Sequence, residues 1–241
     1  MQATSAILLA GGAGTRIREL YPDTPKPLVP VAGRPFLDWV CRYWASQGVN
    51  RIVLSLGYRA DVAERYLAAR QWSGLTVEAV REEQPLGTGG AIRFAAGRAG
   101  DPFVVANADS LVVADLSGAA ALLADPTLDG VVVGVRVEDT ARYGSLDISG
   151  DGRLLGFREK RPGRGWINGG VYFLRQRLLP LFPAASPLSM ESDVFPALLA
   201  AGARLGVLPV EAPFLDIGTP ESLGQAGGFI EQHIKELGPE L

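Results

Sequence analysis

The sequence predicts an α/β fold: a mostly parallel central sheet flanked by helices, with an added β region in its second half. Three observations carry this. Short apolar runs of strand length alternate with amphipathic stretches of helix length, the pattern of βαβ units. The glycines, an Asn-x-Asp and other polar residues gather where strands end, and open parallel sheets bind ligands at those ends. From about Gly130 onward, strand-like runs follow one another with few helical stretches between them.

In chain order, SAILLAG is apolar throughout and reads as a strand buried on both faces. PFLDWVCRYWASQG puts Phe36, Val40, Tyr43 and Gln47 on one helical face, with Trp39 and Trp44 beside it and Gly48 as a stop. RIVLSLG is the next strand. DVAERYLAAR is a helix with Val62, Tyr66 and Ala69 on one side, and LTVEAV a third strand. GTGGAIRFAAGRA reads as a helix with a glycine-rich entrance, and PFVVANAD as a strand with a polar end. GVVVGVRV, YGSLDIS, RLLGFREK and INGGVYFLR are further strands, with SGDG a turn between the second and third. SMESDVFPALLAAG is a helix and RLGVLPV a strand. In the closing helix of TPESLGQAGGFIEQHIKEL, Thr219 suits the N-cap and Pro220 the first turn. There is no repeat and no linker-like segment.

The net charge of −3 gives no basic patch for nucleic acid or an anionic membrane. No run approaches the ~20 apolar residues of a membrane span. The N-terminus lacks the basic region of a signal peptide, so the expected setting is cytoplasmic. The single cysteine, Cys41, excludes an internal disulfide and reads as a small core residue. The single histidine, His233, reads as a surface residue of the last helix, so no histidine triad is expected, and one histidine cannot form a two-histidine metal site. Chemistry here must run without an imidazole base. Attack by a phosphomonoester fits that restriction, because its second pKa near ~6 leaves it ionised at neutral pH.

LLAGGAGTR combines flexible backbone with a cation. Glycines let amides approach an anion closely, anions are favoured at a helix N-terminus, and the Arg16 guanidinium suits phosphate oxygens. The spacing is neither GxxxxGK[ST] nor GxGxxG, since Ile17 stands where a third glycine belongs. On the glycines alone, a tight turn and a phosphate cradle are equally supported. In DTPKPLVPVAGRPF the prolines stiffen the backbone around Lys26, which reads either as a solvated loop lysine or as a preorganised charge. Asp109 and Asp216 each close a strand. They are caps, or, if they share a cleft, ligands for Mg²⁺. REKRP is a solvated charge run by default, and the glycines of INGG mark a bulge or a ligand's close approach.

Taken together and in order, LLAGGAGTR, PKPL, the strand ending in Asp109, REK, INGG and DIGTP resemble the sugar-1-phosphate nucleotidylyltransferases over nearly the whole chain. PLGTGGAI, RYG, INGG and DIGTPE are most similar to short bacterial heptose- or mannose-1-phosphate guanylyltransferases, with N-acetylmuramate-1-phosphate uridylyltransferases the main rival. The resemblance implies a Rossmann-like, GT-A-like fold, Mg²⁺, and the reaction NTP + sugar 1-phosphate → NDP-sugar + pyrophosphate. It implies one domain, 1–241, with residues 1–130 mainly nucleotide-binding and 131–241 mainly sugar-phosphate-binding. It implies that Leu9, Ala10, Gly11, Gly12, Gly14, Thr15 and Asn107 line the nucleotide, with Glu83, Pro85, Gly87 and Thr88 at the base. Arg16 and Lys26 would be the catalytic cations, and Asp109 and Asp216 the metal ligands. Gly144, Glu159, Lys160, Asn168 and Gly169 would hold the sugar phosphate. The final helix is a candidate surface for a homodimer. The family usually has glycine before the metal aspartate; here the triplet is Asn107-Ala108-Asp109. The Ala108 β-carbon is expected to crowd the nucleotide sugar or shift the backbone. That departure motivates an alternative of another class, an inactive regulatory subunit that binds nucleotide sugars. A dinucleotide-dependent oxidoreductase lacks its GxGxxG.

Overall fold

The computed structural model describes residues 4–141, 145–158 and 162–241. Its elements, in order, are β1 (Ser5–Ala10), the short strands β2 (Pro30–Val31) and β3 (Arg34–Pro35), α1 (Phe36–Ser46), β4 (Arg51–Leu56), α2 (Ala60–Ala68), β5 (Thr76–Arg81) and α3 (Gly87–Ala95). There follow β6 (Phe103–Asn107), β7 (Ser110–Val112), α4 (Ser117–Leu122), β8 (Gly130–Val137), β9 (Ser145–Ile148), β10 (Leu154–Arg158) and β11 (Gly165–Leu174). The chain ends with α5 (Phe195–Ala200), β12 (Leu205–Val210), β13 (Phe214–Asp216) and α6 (Pro220–Gln232).

Seven strands form the central sheet in the order β12-β8-β11-β6-β1-β4-β5. β1 runs parallel to both β4 and β6, β4 to β5, and β8 to β12. Only β11 runs against its neighbours β6 and β8. The apolar runs are continuous because both faces are covered. Along β1, Ala6, Leu8 and Ala10 join a core that includes α1, while Ile7 faces the opposite core with Val53, Val105, Ile92 and Phe195. β1 sits where the strand order reverses, so a crevice opens at the carboxyl ends of β1, β4 and β6.

Three expectations change. Along α2, Ala60 and Ala63 are buried and Val62, Tyr66 and Leu67 pack on the core, but Ala69 is exposed: the apolar stripe runs one turn earlier. His233 is no free surface residue; its side chain is 13% exposed and its ring lies 4.8 Å from that of Phe229. The stretch SMESDVFPALLAAG divides into a π-helical turn over Met190–Val194 and then α5. Thr219 caps α6 as expected: its side chain accepts from the Ser222 amide. α6 buries Ala226 and Ile230 in the core, so that face of the helix is already covered within the chain.

Candidate active site

The glycine loop leaves the end of β1 at the head of the crevice. Gly14 reverses the chain at φ +57°, where a side chain would be strained and a β-carbon would sit 3.2 Å from Lys26 Cβ. The Ile17 and Arg18 amides both donate to the Gly14 carbonyl, and residues 15–20 continue as turns. The loop therefore does not lead into a helix N-terminus; it offers glycine backbone and the exposed Arg16 instead. Gly11 is hemmed in, because a β-carbon there would lie 2.7 Å from Glu82 Oε1. Gly12 has nothing within 4 Å of that position.

Pro25 and Pro27 hold Lys26 at the start of a short 3-10 turn, Lys26–Leu28. Its ammonium reaches Asp109 Oδ2 at 2.5 Å and Asp216 Oδ1 at 3.6 Å, and its side chain is 12% exposed. The two aspartates meet because β7 and β13 pair antiparallel, with Ser110 opposite Asp216. The Ile217 amide donating to the Asp109 carbonyl extends that pairing. The Gly218 amide donates to Asp216 Oδ1 at 2.6 Å, which fixes the carboxylate's rotation.

Three neighbouring clefts share Asp109. The first, about 190 Å³, is lined by Leu9, Ala10, Gly12, Gly14, Thr15, Arg16 and Lys26. A second, about 680 Å³, takes in Leu9, Gly11, Gly12, Glu83, Pro85, Gly87, Thr88 and Asn107. The third, about 380 Å³, takes in Asn168, Gly169 and Asp216 together with Arg16, Lys26, Thr88 and Asn107. Gly144, Glu159 and Lys160 lie outside the described residues. A groove of about 790 Å³ between α1 and α4 shares no residue with these clefts and has neither the glycine loop nor a lysine or arginine in its wall.

Ala108 corrects the expectation of a crowded nucleotide sugar. It is 0% exposed and packs in the core, and its amide donates to the Leu9 carbonyl at 3.0 Å. Among the described residues it lines none of the three clefts.

Gly87 also changes meaning. Its φ is +72°, and a β-carbon would lie 2.3 Å from the Leu188 carbonyl oxygen; at Gly89 it would lie 2.5 Å from Val194 Cγ2. These glycines let the segment around Leu188 dock on the start of α3. Leu188 donates to the Leu86 carbonyl, Gly89 donates to that of Leu188, and the Met190 amide donates to Thr88 Oγ1, each at 2.8 Å.

Sequence reasoning missed several lining residues. Glu82, rather than Glu83, is the buried one: it is 8% exposed and accepts from Ser55 Oγ at 2.8 Å and from the Leu86 amide at 3.1 Å. The signal was Ser55, a polar residue inside the apolar run RIVLSLG, which needs a buried partner. Tyr58, Tyr172 and Glu191 also face the clefts. INGG does mark a bulge: the register of β11 against β8 shifts between Asn168 and Tyr172. Burial pushes the Tyr172 phenol well above its ordinary pKa, so the hydroxyl stays protonated and accepts from Asn168 Nδ2 at 2.8 Å.

A family model described as Nucleotidyl transferase matches residues 5–233. The chain is 36% identical over 220 residues to a mannose-1-phosphate guanylyltransferase of Mycobacterium tuberculosis, covering 90% of this chain and 61% of that protein. It therefore spans about three fifths of the mycobacterial relative. It is 31% identical over 231 residues to a D-glycero-alpha-D-manno-heptose 1-phosphate guanylyltransferase of Aneurinibacillus thermoaerophilus, covering 95% and 99% of the two chains. Among solved structures, HddC from Yersinia pseudotuberculosis complexed with GMP-PN superposes with a TM-score of 0.83 at 34% identity, covering 94% and 99% of the two chains.

Proposed function

The chain belongs to the nucleotidyl transferase family, and from that premise we propose that it joins a nucleoside triphosphate to a sugar 1-phosphate, releasing pyrophosphate. GTP is the proposed nucleotide, and D-glycero-α-D-manno-heptose 1-phosphate or mannose 1-phosphate the proposed sugar, after the relatives' names. The observation that carries this reading is the Lys26 ammonium, within reach of both Asp216 and Asp109, the residue that the three clefts share.

The proposed division of labour is by part of the chain, with the third cleft lined by both parts. The first part of the chain, 1–130, would take the triphosphate along Gly11, Gly12, Gly14, Thr15 and Arg16, with the base toward Glu83, Pro85, Gly87 and Thr88. The second part, 131–241, would take the sugar phosphate at Asn168 and Gly169. The sugar phosphate is an ionised nucleophile and needs no general base. His233, the one histidine, lines none of the three clefts. Lys26 would follow the charge that grows on the α-phosphate, and Arg16 would hold the departing pyrophosphate. Lys26 is positioned before reaction, by its flanking prolines and its ion pair with Asp109.

A divalent metal fits this donor set. One ammonium already bridges two carboxylates here, and no cluster of three histidine, cysteine or acidic residues exists among the described residues. Two carboxylates with open positions for phosphate oxygens is the manner of Mg²⁺. Asp109 and Asp216 would hold it, and it would neutralise phosphate charge.

The test is pyrophosphate release from each of four NTPs with a panel of sugar 1-phosphates. GTP with mannose or the heptose 1-phosphate should turn over, and chelation or Asp109→Asn should reduce the rate by about 10²-fold or more. Binding of nucleotide sugars without turnover of any pair refutes the reading.

A further inference from the structure

The geometry points to Glu191 as the residue that recognises the sugar's hydroxyl groups, which sets which sugar 1-phosphate is accepted. This rests on the nucleotidyltransferase reading and names a specificity residue within its sugar site.

Glu191 lies in the π-helical turn Met190–Val194 and lines the 380 Å³ cleft with Asn168 and Tyr172. π-turns are rare and occur mostly at functional sites. Three bonds hold this turn in place. Thr88 Oγ1 accepts from the Met190 amide at 2.8 Å, Asp193 Oδ2 from the Ser189 amide at 2.7 Å, and Ser189 Oγ from the Ser192 amide at 3.3 Å. The carboxylate itself is aimed from the opposite wall: Asn168 Nδ2 donates to Glu191 Oε1 at 2.7 Å and to the Tyr172 hydroxyl at 2.8 Å. Asn168 in turn is held by the bulge in β11, where its Oδ1 accepts from the Gly170 amide at 3.0 Å. Among the described residues, Glu191 Oε2 accepts no hydrogen bond, and the residue is exposed to the cleft.

Charge decides what this carboxylate meets. Among the described residues, Asp109, Asp216 and Glu191 are the carboxylates of the cleft wall. The first two face Lys26, and Arg16 lies near them, so the phosphate belongs at that end. Glu191 has no cationic partner among the described residues, and it repels a phosphate dianion. A neutral polyol is what it can bind. Hydroxyls donating to an ionised carboxylate form short, strong hydrogen bonds, and a site built around such a bond discriminates strongly against an analogue lacking the hydroxyl. Glu191 therefore orients the sugar, with its phosphate toward Lys26 and its hydroxyls toward the π-turn.

The experiment is steady-state kinetics with GTP, mannose 1-phosphate and the monodeoxy analogues of that sugar. Glu191→Gln keeps an oxygen for Asn168 but loses the charge. It should raise KM for mannose 1-phosphate about tenfold or more, with KM for GTP and kcat within about twofold. One monodeoxy analogue should erase the difference between Glu191→Gln and the parent, which a merely structural residue would not do. Unchanged kinetics in Glu191→Gln and Glu191→Ala overturns the proposal, as does a loss confined to kcat or shared equally by both KM values. If the parent protein turns over no sugar 1-phosphate, the nucleotidyltransferase reading has failed and this proposal with it. If the parent turns over and the variants do not differ, only the role of Glu191 has failed.

Discussion

Replacing Gly87 and Gly12 one at a time by alanine separates a glycine required by the fold from one required by a ligand. At Gly87 the backbone is left-handed, φ +72°, which costs a non-glycine residue roughly 1–2 kcal/mol. The new β-carbon would also stand 2.3 Å from the Leu188 carbonyl oxygen, a backbone atom that cannot rotate away. Forcing that segment outward is overpacking, worth about 1–3 kcal/mol. The sum is about 2–5 kcal/mol, and at ~2–4 °C per kcal/mol for a chain of this size it lowers Tm by on the order of 10 °C. Gly12 has no atom within 4 Å of its β-position, so Gly12→Ala should change stability by less than about 0.5 kcal/mol. Its methyl would instead enter the cleft beside Lys26 and Asp109 and weaken nucleotide binding about tenfold or more, ~1.4 kcal/mol. Thermal melts without ligand and calorimetric titration with GTP measure the two effects separately. A Gly87→Ala protein that melts with the parent, or a Gly12→Ala protein that loses as much Tm as Gly87→Ala, refutes the assignment.

Two further outcomes follow from buried groups. Ala108→Gly removes a buried methyl, ~0.8 kcal/mol, and adds backbone freedom, ~0.5–1 kcal/mol. It should lower stability by roughly 1–2 kcal/mol in urea melts and leave kcat/KM within about twofold; a large gain in turnover would show that the methyl does obstruct the site. Burial raises the pKa of Asp38 above its ordinary 3.8, against the opposing hydrogen bond from Tyr66 and the charge of Arg70. The folded state then holds this proton more tightly than the unfolded one, so the contribution is full below pH 3.8 and is lost as pH rises through the raised value. Relative to Asp38→Asn, the parent should therefore lose stability in urea melts as pH rises above about 3.8; a difference that stays constant with pH contradicts the burial argument.

The order and type of most elements were legible because local patterns encode them. Apolar runs give strands buried on both faces, the 3.6-residue stripe gives α1, and Thr219 with Pro220 marks where α6 begins. The glycine loop and the Lys26 segment were legible as chemistry, since glycine and proline fix what backbone can do at any position. Other features arise only when distant segments meet. Asp109 and Asp216 share Lys26 because β7 pairs with β13, a contact between strands far apart in the chain. Gly87 must be glycine because Leu188 lies against it, and Ala108 is buried in the core and lines none of the three clefts. Glu191 carried no sequence signal, since an exposed glutamate in a helical stretch looks like any solvated side chain until Asn168 is seen to hold it. The sequence by itself determined the layers and the strand ends where glycines and polar residues gather, because periodicity and residue chemistry are local. Only the tertiary structure decided which carboxylates converge and which glycines a neighbouring segment hems in, because those depend on strand pairing and on the direction of single Cα–Cβ bonds.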